Sequence, residues 1–168
     1  FFPGMEGANY IMFDYDGVDE DSYVFDYQVP MDATGGVEMN KGVDRGIKKR
    51  VGGRGIEYNL TPMTDWTKHV LSYQVERNPH YLDRAQFRYL PFEMQNFNVM
   101  IRLKGDRVWI VSVKDKEVWG IKIRSTNLAS SLISLHQALW KMADPITKDM
   151  IESWMPNAYL RAEKAKDH

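Results

Sequence analysis

The feature that most constrains the fold is a run of four short segments in the second half of the chain. They read AQFRYLPFEM, FNVMIRLKG, RVWIVSVKD and VWGIKIRS. Each has the length and the apolar and aromatic content of a strand, and several alternate apolar with basic residues. The sequences KGDR and KDKE stand between them and are typical of turns. These segments predict consecutive antiparallel strands.

A helix is predicted directly after these strands, from TNLASSLISLHQALWKMA. Its leucines recur at helical spacing and form an apolar stripe: Leu128, Leu132, Leu135 and Leu139. Thr126 or Asn127 can cap the first turn, and Asp144-Pro145 ends the helix. A further short helix is predicted in ITKDMIESWM, followed by the polar tail LRAEKAKDH.

The first half of the chain suggests the same order of elements. NYIMFDYD and DSYVFDYQVPM have strand character, and seven glycines between residues 35 and 55 suit a hairpin between two further strands. TPMTDWTKHVLSYQVE then predicts a helix capped by Thr61 or Thr64. We therefore predict one α+β domain over residues 1–168, with two antiparallel four-stranded sheets, each followed by a helix. The duplicated ββββα units would cover 10–80 and 84–142, with a C-terminal helix and tail over 143–168.

Composition excludes several classes of function. The 168 residues are 43% hydrophobic, which suits a packed globule, and none of the apolar runs approaches the length of a membrane helix. The absence of Cys excludes disulfides, thiolate metal sites and a Cys nucleophile. It also fits a reducing or mitochondrial compartment. The N-terminal FFPGMEG lacks the pattern of a secretory signal and suggests a processed chain, so we expect a mitochondrial location.

Charge is divided unevenly along the chain. Residues 1–40 contain nine acids and no Lys or Arg, for a net charge of −9. The remainder holds all 22 Lys and Arg and 14 of the 23 acids, for a net charge of +8. A basic body is a modest indication of nucleic-acid binding. Alternatively, the acidic part of the chain, residues 1–40, folds onto the basic part and neutralises it.

The motifs that resemble catalytic or phosphate-binding sites are incomplete in this sequence. IMFDYDGV resembles the first motif of haloacid-dehalogenase-type phosphatases, with Asp14 as nucleophile and Asp16 as acid/base beside Mg²⁺. However, a second strand rather than a helical crossover is expected after it. VGGRG lacks the Lys-Ser/Thr of a phosphate-binding loop, and the four His residues lack metal-ligand spacing. We expect no catalytic residue, no metal and no cofactor.

A basic β-surface is the feature that remains. Strand periodicity places Arg102 and Lys104 on one face, and Lys122 and Arg124 on one face. Such a surface suits the phosphate backbone of a nucleic acid. Aromatic residues, Trp109 and Trp119 among them, could stack bases or belong to the core. The predicted nucleic-acid-binding residues are Lys48, Lys49, Arg50, Arg54, Arg102, Lys104, Lys122 and Arg124.

The stretch KKRVGGRGIEYNLTPMTDWTKHVLSYQ resembles a unit of the Whirly-like single-stranded nucleic-acid-binding superfamily. The likeness lies in Arg50, Gly53, Arg54 and Gly55, the strand over 56–60, and Pro62 and Trp66 at the start of the helix. The chain from FNVMIRLKG onward resembles a second unit. Two units in one chain resemble the kinetoplastid mitochondrial guide-RNA-binding proteins. The resemblance implies a homo- or hetero-tetramer that lays single strands across its sheets and takes part in RNA annealing during editing.

The sequence therefore predicts a non-enzymatic protein that binds single-stranded RNA or DNA through backbone electrostatics. A structural subunit of a larger mitochondrial assembly is the first alternative. A Mg²⁺-dependent phosphatase at Asp14 and Asp16 is the second. No membrane association is expected.

Overall fold

The computed structural model describes residues 1–27, 36–94, 96–114 and 116–155, with the backbone alone for 36–40. Within these residues, eight strands form one sheet and five helices pack around it. The strands are β1 (Phe2–Pro3), β2 (Ser22–Asp26), β3 (Glu57–Leu60), β4 (Ala85–Tyr89), β5 (Val99–Lys104), β6 (Arg107–Lys114), β7 (Glu117–Arg124) and β8 (Asp144–Pro145). The helices are α1 (Gly4–Met12), α2 (Gly36–Gly52), α3 (Asp65–Arg77), α4 (Thr126–Met142) and α5 (148–155).

The sheet is mixed, with the strand order β1-β7-β6-β5-β2-β3-β4-β8. Strands β5, β6 and β7 form an antiparallel meander, as their short turns require. Strands β2, β3 and β4 are parallel to one another. The two parts join where β2 pairs antiparallel with β5, with Val24 opposite Arg102. The boundary between the halves of the chain therefore lies inside one continuous sheet.

The predicted α+β class is correct, but the prediction of two separate antiparallel four-stranded sheets is wrong. Parallel neighbours need crossover connections, and α2 and α3 provide them between β2, β3 and β4. The ββββα order predicted for 10–80 is therefore absent. The order predicted for 84–142 is observed as β4, β5, β6, β7 and α4, although β4 pairs with β3 and β8 instead of with the meander.

The first predicted strand, NYIMFDYD, is the end of helix α1 and the loop after it. Ala8, Ile11 and Met12 are buried at helical spacing and pack on Trp109 and Val111 in the meander. Helix α1 lies close to the sheet because Gly120 faces it. A β-carbon at Gly120 would be 2.7 Å from the Ile11 side chain.

The predicted Gly-rich hairpin is helix α2, followed by a short loop and β3. Two of its glycines, Gly42 and Gly46, permit close packing and do not mark turns. A β-carbon at Gly42 would be 2.8 Å from the ring of Phe13, and one at Gly46 would be 2.0 Å from the ring of Tyr15. The glycines therefore let the segment after α1 lie directly against α2. Gly35, at the start of this prediction, and residues 28–31 of the predicted strand DSYVFDYQVPM fall outside the described residues.

The two long predicted helices are confirmed. The side chain of Thr64 caps α3 by accepting a hydrogen bond from the Thr67 backbone at 3.2 Å. Helix α4 is capped by Ser125, one residue before the expected cap, which accepts from Leu128. Its buried side is centred on Ala129 and His136, so part of the predicted leucine stripe, Leu128 and Leu135, is exposed.

The helices occupy both faces of the sheet. Side chains of α1, α2 and α3 join the cores on the face that carries Val24 and Phe87. Helix α4 covers the opposite face, where Phe25, Leu103 and Val108 lie. Within the described residues, none of the helices combines the length and apolar character needed to cross a lipid bilayer.

Candidate functional site

Two cross-strand rows of cations lie on the sheet face that α1 and α2 share. Arg102 on β5 is opposite Trp109 on β6, which is opposite Lys122 on β7. In the neighbouring row, Lys104 is opposite Arg107, which is opposite Arg124. The prediction that β5 and β7 each present two cations on one face is therefore confirmed, and the register brings the two pairs onto the same face.

This face is not open to solvent at its centre. Arg102 is 6% exposed and Lys104 is 1% exposed. They are covered by residues 14–20, which connect α1 to β2 and include Asp14, Asp16, Asp19 and Glu20. We call residues 14–20 the acidic segment. The alternative in which the acidic part of the chain folds onto the basic part is thus what the structure shows here.

Arg102 and Lys104 hold the backbone of the chain around Asp14. The guanidinium of Arg102 donates to the carbonyl of Asp14 at 2.9 Å and to that of Met12 at 3.0 Å. The ammonium of Lys104 donates to the carbonyl of Asp16. Burial, together with the nearby charges of Arg50 and Arg102, lowers the pKa of Lys104 to about 8.

Asp14 anchors the acidic segment on the sheet. Its carboxylate accepts from Trp109 Nε1 at 2.9 Å and from Lys122 Nζ at 2.6 Å. Burial raises the pKa of Asp14, but these hydrogen bonds outweigh it and lower the pKa to about 2. The carboxylate is therefore ionised, and Trp109 and Lys122 hold it against the sheet. The phosphatase alternative at Asp14 and Asp16 stays a prediction. Among the described residues, no cluster of three or more His, Asp or Glu could hold a metal.

Three further cations contact the acidic segment at its C-terminal end. Arg107 donates to both carboxylate oxygens of Glu20, at 2.9 and 2.7 Å. Arg50, only 4% exposed, donates to the Val18 carbonyl and pairs with Glu57 at 3.4 Å. Arg54 pairs with Asp19 at 3.4 Å but remains 84% exposed.

A second basic surface lies on the outer side of α2. Arg45, Lys48 and Lys49 are exposed, whereas Gly46, Ile47 and Arg50 on the other side of the helix are buried. No ion pair joins these three exposed cations to any residue within the described part of the chain. Arg54 follows in the loop after the helix. We call Arg45, Lys48, Lys49 and Arg54 the α2 basic face.

The eight predicted binding residues are therefore divided among three environments. Lys48 and Lys49 are exposed without an ion pair to a described residue. Arg54, Lys122 and Arg124 are exposed or partly exposed and each is paired with a carboxylate. Arg50, Arg102 and Lys104 are buried, so they form no open surface. Trp109, considered for base stacking, is also completely buried.

Sequence reasoning missed a group of polar residues, partly or fully buried, near the β2–β5 junction. Asp26 lies on the same sheet face as Arg102 and Glu57. Burial and the charge of Glu57 raise the pKa of Asp26 to about 6. On the opposite face, His136 donates to the Val24 carbonyl at 3.2 Å, and burial lowers its pKa to about 4. The only sequence signal for the group of Asp26, Glu57 and Arg102 was the presence of polar residues within strands.

No family model matches the sequence, and no curated protein matches it. Several solved structures share the fold, including TrmBL2 and Nuc. TrmBL2, an archaeal chromatin protein described as showing a novel mode of DNA binding, superposes with a TM-score of 0.55 at 10% identity, over 86% of this chain and 52% of that chain. Nuc, a phospholipase D family member from Salmonella typhimurium, gives a TM-score of 0.54 at 13% identity, over 86% of this chain and 95% of that one.

These similarities establish a shared fold. The chain spans about half the length of TrmBL2. Neither structure is a Whirly or guide-RNA-binding protein, so the predicted family is not shown. The sheet is mixed and contains the parallel strands β2, β3 and β4, whereas the predicted architecture was antiparallel throughout.

Proposed function

We propose that the protein binds nucleic acid through the α2 basic face, by electrostatic contacts to phosphates. The observation that carries the proposal is the exposure of Arg45, Lys48 and Lys49 without ion pairs in the described part of the chain. Elsewhere on the molecule, most of the cations that the sequence suggested for binding are already paired with carboxylates or hydrogen-bonded to backbone carbonyls. The α2 basic face is the candidate that a phosphate could reach without first displacing a buried contact.

The geometry of α2 suits a phosphate backbone. Three cations of α2 fall at positions i, i+3 and i+4, namely Arg45, Lys48 and Lys49. Their side chains therefore lie on one face and span about 6 Å along the helix axis. Arg54 extends this face past the end of the helix. Contacts of this kind fix a strand in place and do not read its sequence. We therefore expect weak sequence preference and a strong dependence on salt.

The proposal differs from the sequence-based one in where the nucleic acid lies. Helices and the acidic segment cover the sheet faces, so the strand would follow a helix instead of crossing a sheet. The DNA binding named for TrmBL2, which shares the fold, supports including DNA among the ligands. Single-stranded RNA as the preferred ligand, annealing during editing, a tetramer and a mitochondrial location stay predictions. We also propose a binding role without a chemical step, since the Asp14 carboxylate is held by Lys122 and Trp109.

The test is fluorescence anisotropy of the 168-residue chain with labelled single-stranded RNA, single-stranded DNA and duplex DNA between about 50 and 200 mM salt. Over this range, a protein that makes about six phosphate contacts loses a factor of about 10³ in affinity. Lys48→Gln/Lys49→Gln should weaken binding by about tenfold at 50 mM salt and reduce the salt slope by between about one and two. The three ligands distinguish RNA from DNA and single strands from duplex.

The matched control is Lys116→Gln/Lys141→Gln, which removes two exposed lysines that lie away from α2. It changes net charge by the same amount and should alter affinity less than about twofold. Equal losses for both double variants would attribute binding to overall charge. No binding of any ligand at 50 mM salt would also overturn the proposal.

A further inference from the structure

We infer that the acidic segment is an internal competitor for phosphate, occupying a second nucleic-acid surface formed by Arg107, Lys122 and Arg124. The inference rests on the proposed function, because it concerns the same ligand class, but it concerns a different surface from the α2 basic face. It explains why Lys122, a predicted binding residue on β7, is paired with Asp14 and is not free. The carboxylates of Asp14 and Glu20 take the places that phosphates would take.

The contacts converge on one short stretch of chain. Six cations drawn from α2, the loop after it, and β5, β6 and β7 donate to residues 12–20. All of the acceptors are carboxylate or carbonyl oxygens. The cations involved are Arg50, Arg54, Arg102, Lys104, Arg107 and Lys122. An anionic strand surrounded by cations from several elements is the arrangement expected for a bound polyanion.

The cations at the edge of the acidic segment, which we call the rim, differ in exposure and in partner from the cations beneath the segment. The side chains of Arg107 and Lys122 are 22% and 37% exposed, and their partners are carboxylates. Arg102 and Lys104 are buried under the segment and hold backbone carbonyls. A phosphate can therefore compete with Asp14 and Glu20 at the rim while the buried contacts keep the segment in place.

The next cation in the row extends the rim. Arg124, opposite Arg107 across the β6–β7 ladder, is 80% exposed and pairs with Asp106 at 2.7 Å. Neighbouring strands are about 4.8 Å apart, so Arg107 and Arg124 are close enough to contact neighbouring phosphates. Exposed ion pairs contribute little to stability, so stability alone gives little reason for the pairs of Arg107 with Glu20 and of Arg124 with Asp106.

The test neutralises the competitor with the isosteric double variant Asp14→Asn/Glu20→Gln. Affinity for labelled single-stranded and duplex DNA at 50 mM salt should increase at least about fivefold, and the salt slope should steepen by about one or more. The control Glu76→Gln/Glu93→Gln removes two exposed acids away from the segment, with the same change of net charge. It should change affinity less than about twofold. A gain equal to that of the control, or no gain, overturns the inference.

The same measurements separate this inference from the proposed function. The gain from Asp14→Asn/Glu20→Gln should persist in a Lys48→Gln/Lys49→Gln background and disappear when Lys122→Gln/Arg124→Gln is added. If the α2 basic face does not bind nucleic acid, Lys48→Gln/Lys49→Gln leaves affinity unchanged, while Asp14→Asn/Glu20→Gln still increases it. A gain that survives the loss of Lys122 and Arg124 overturns the inference alone.

Folding of the variants is verified by circular dichroism and thermal unfolding. If Asp14→Asn/Glu20→Gln does not fold, Glu20→Gln decides the question. Glu20 is half exposed and its loss leaves the Asp14 anchor intact. That single variant should tighten binding by at least about twofold, and its failure to do so contradicts the inference.

Discussion

The carboxylate of Asp14 lies 2.6 Å from the ammonium of Lys122, although 108 residues of sequence separate the two. This ion pair joins the segment after α1 to β7, the last strand of the meander. It also brings together an acid from the −9 part of the chain and a base from the +8 part. The division of charge along the sequence thus becomes a set of contacts between the two halves of the fold.

Asp14→Asn should reduce the free energy of unfolding at neutral pH by about 1–2 kcal/mol. The pKa of Asp14 is lowered from 3.8 to about 2, and each pKa unit corresponds to about 1.4 kcal/mol before solvent screening reduces it. The folded-state pKa lies below the ordinary value of 3.8, so this contribution is present above pH 3.8 and is lost as pH falls towards 2. Urea unfolding at pH 6, 4 and 2.5 tests this expectation. A difference between the wild type and the variant that does not shrink at low pH would contradict it.

Adjacent glycines at the end of α2 should respond oppositely to alanine. A β-carbon at Gly53 would be 2.4 Å from the Val18 carbonyl oxygen, so Gly53→Ala should cost about 1–3 kcal/mol. At Gly52 nothing lies within 4 Å, and Gly52→Ala should be neutral or stabilise the protein by up to about 1 kcal/mol. Thermal and urea unfolding measure both. Equal effects would show that the contact with the acidic segment is unimportant.

His136 should make the protein less stable in mild acid. Burial lowers its pKa to about 4, below the ordinary value of 6.5, so between these values the unfolded state binds a proton that the folded state excludes. Stability should fall by about 2–3 kcal/mol as pH falls from 7 to 4. His136→Gln can keep the hydrogen bond to the Val24 carbonyl without titrating. Its stability should therefore depend less on pH over this range, as measured by urea unfolding.

Asp26 should have the opposite dependence. Burial and Glu57 raise its pKa to about 6, so the carboxyl destabilises the fold as pH rises from 3.8 through 6. Asp26→Asn should increase stability at pH 8 by about 1–3 kcal/mol and leave it nearly unchanged at pH 3.5. Because Asp26 and His136 titrate in overlapping ranges with opposite signs, each variant is compared with the wild type at every pH. A loss of stability at pH 8 would contradict the expected cost of ionising Asp26.

The parts of the fold that follow local patterns could be predicted from the sequence. The strands of the meander and helices α3 and α4 depend on alternation, spacing and caps, which nearby residues determine. Helices α1 and α2 could not be predicted in this way. Gly42 and Gly46 suggest turns, but they serve helix packing against Phe13 and Tyr15, which lie about 30 residues earlier in the chain. Parallel pairing of β2, β3 and β4 likewise depends on contacts between distant segments.

The candidate site was predictable in composition but not in exposure. The sequence identified Lys48, Lys49 and Arg54 among the basic residues, and it offered neutralisation by the acidic part of the chain as an alternative. It could not show that Arg102 and Lys104 are buried, because their partners are 88 residues away or more. Strand periodicity indicates which residues share a face, but it does not indicate what covers that face.

The pairing of β2 with β5 has a consequence for synthesis on the ribosome. Strand β2 is hydrogen-bonded on one side by β3 and on the other by residues 99–104. Until those residues leave the exit tunnel, the growing chain has an unprotected edge at β2, open to pairing with another nascent chain. The meander must therefore emerge before the first half can reach a closed state, and chaperone demand should be greatest just before β5 appears.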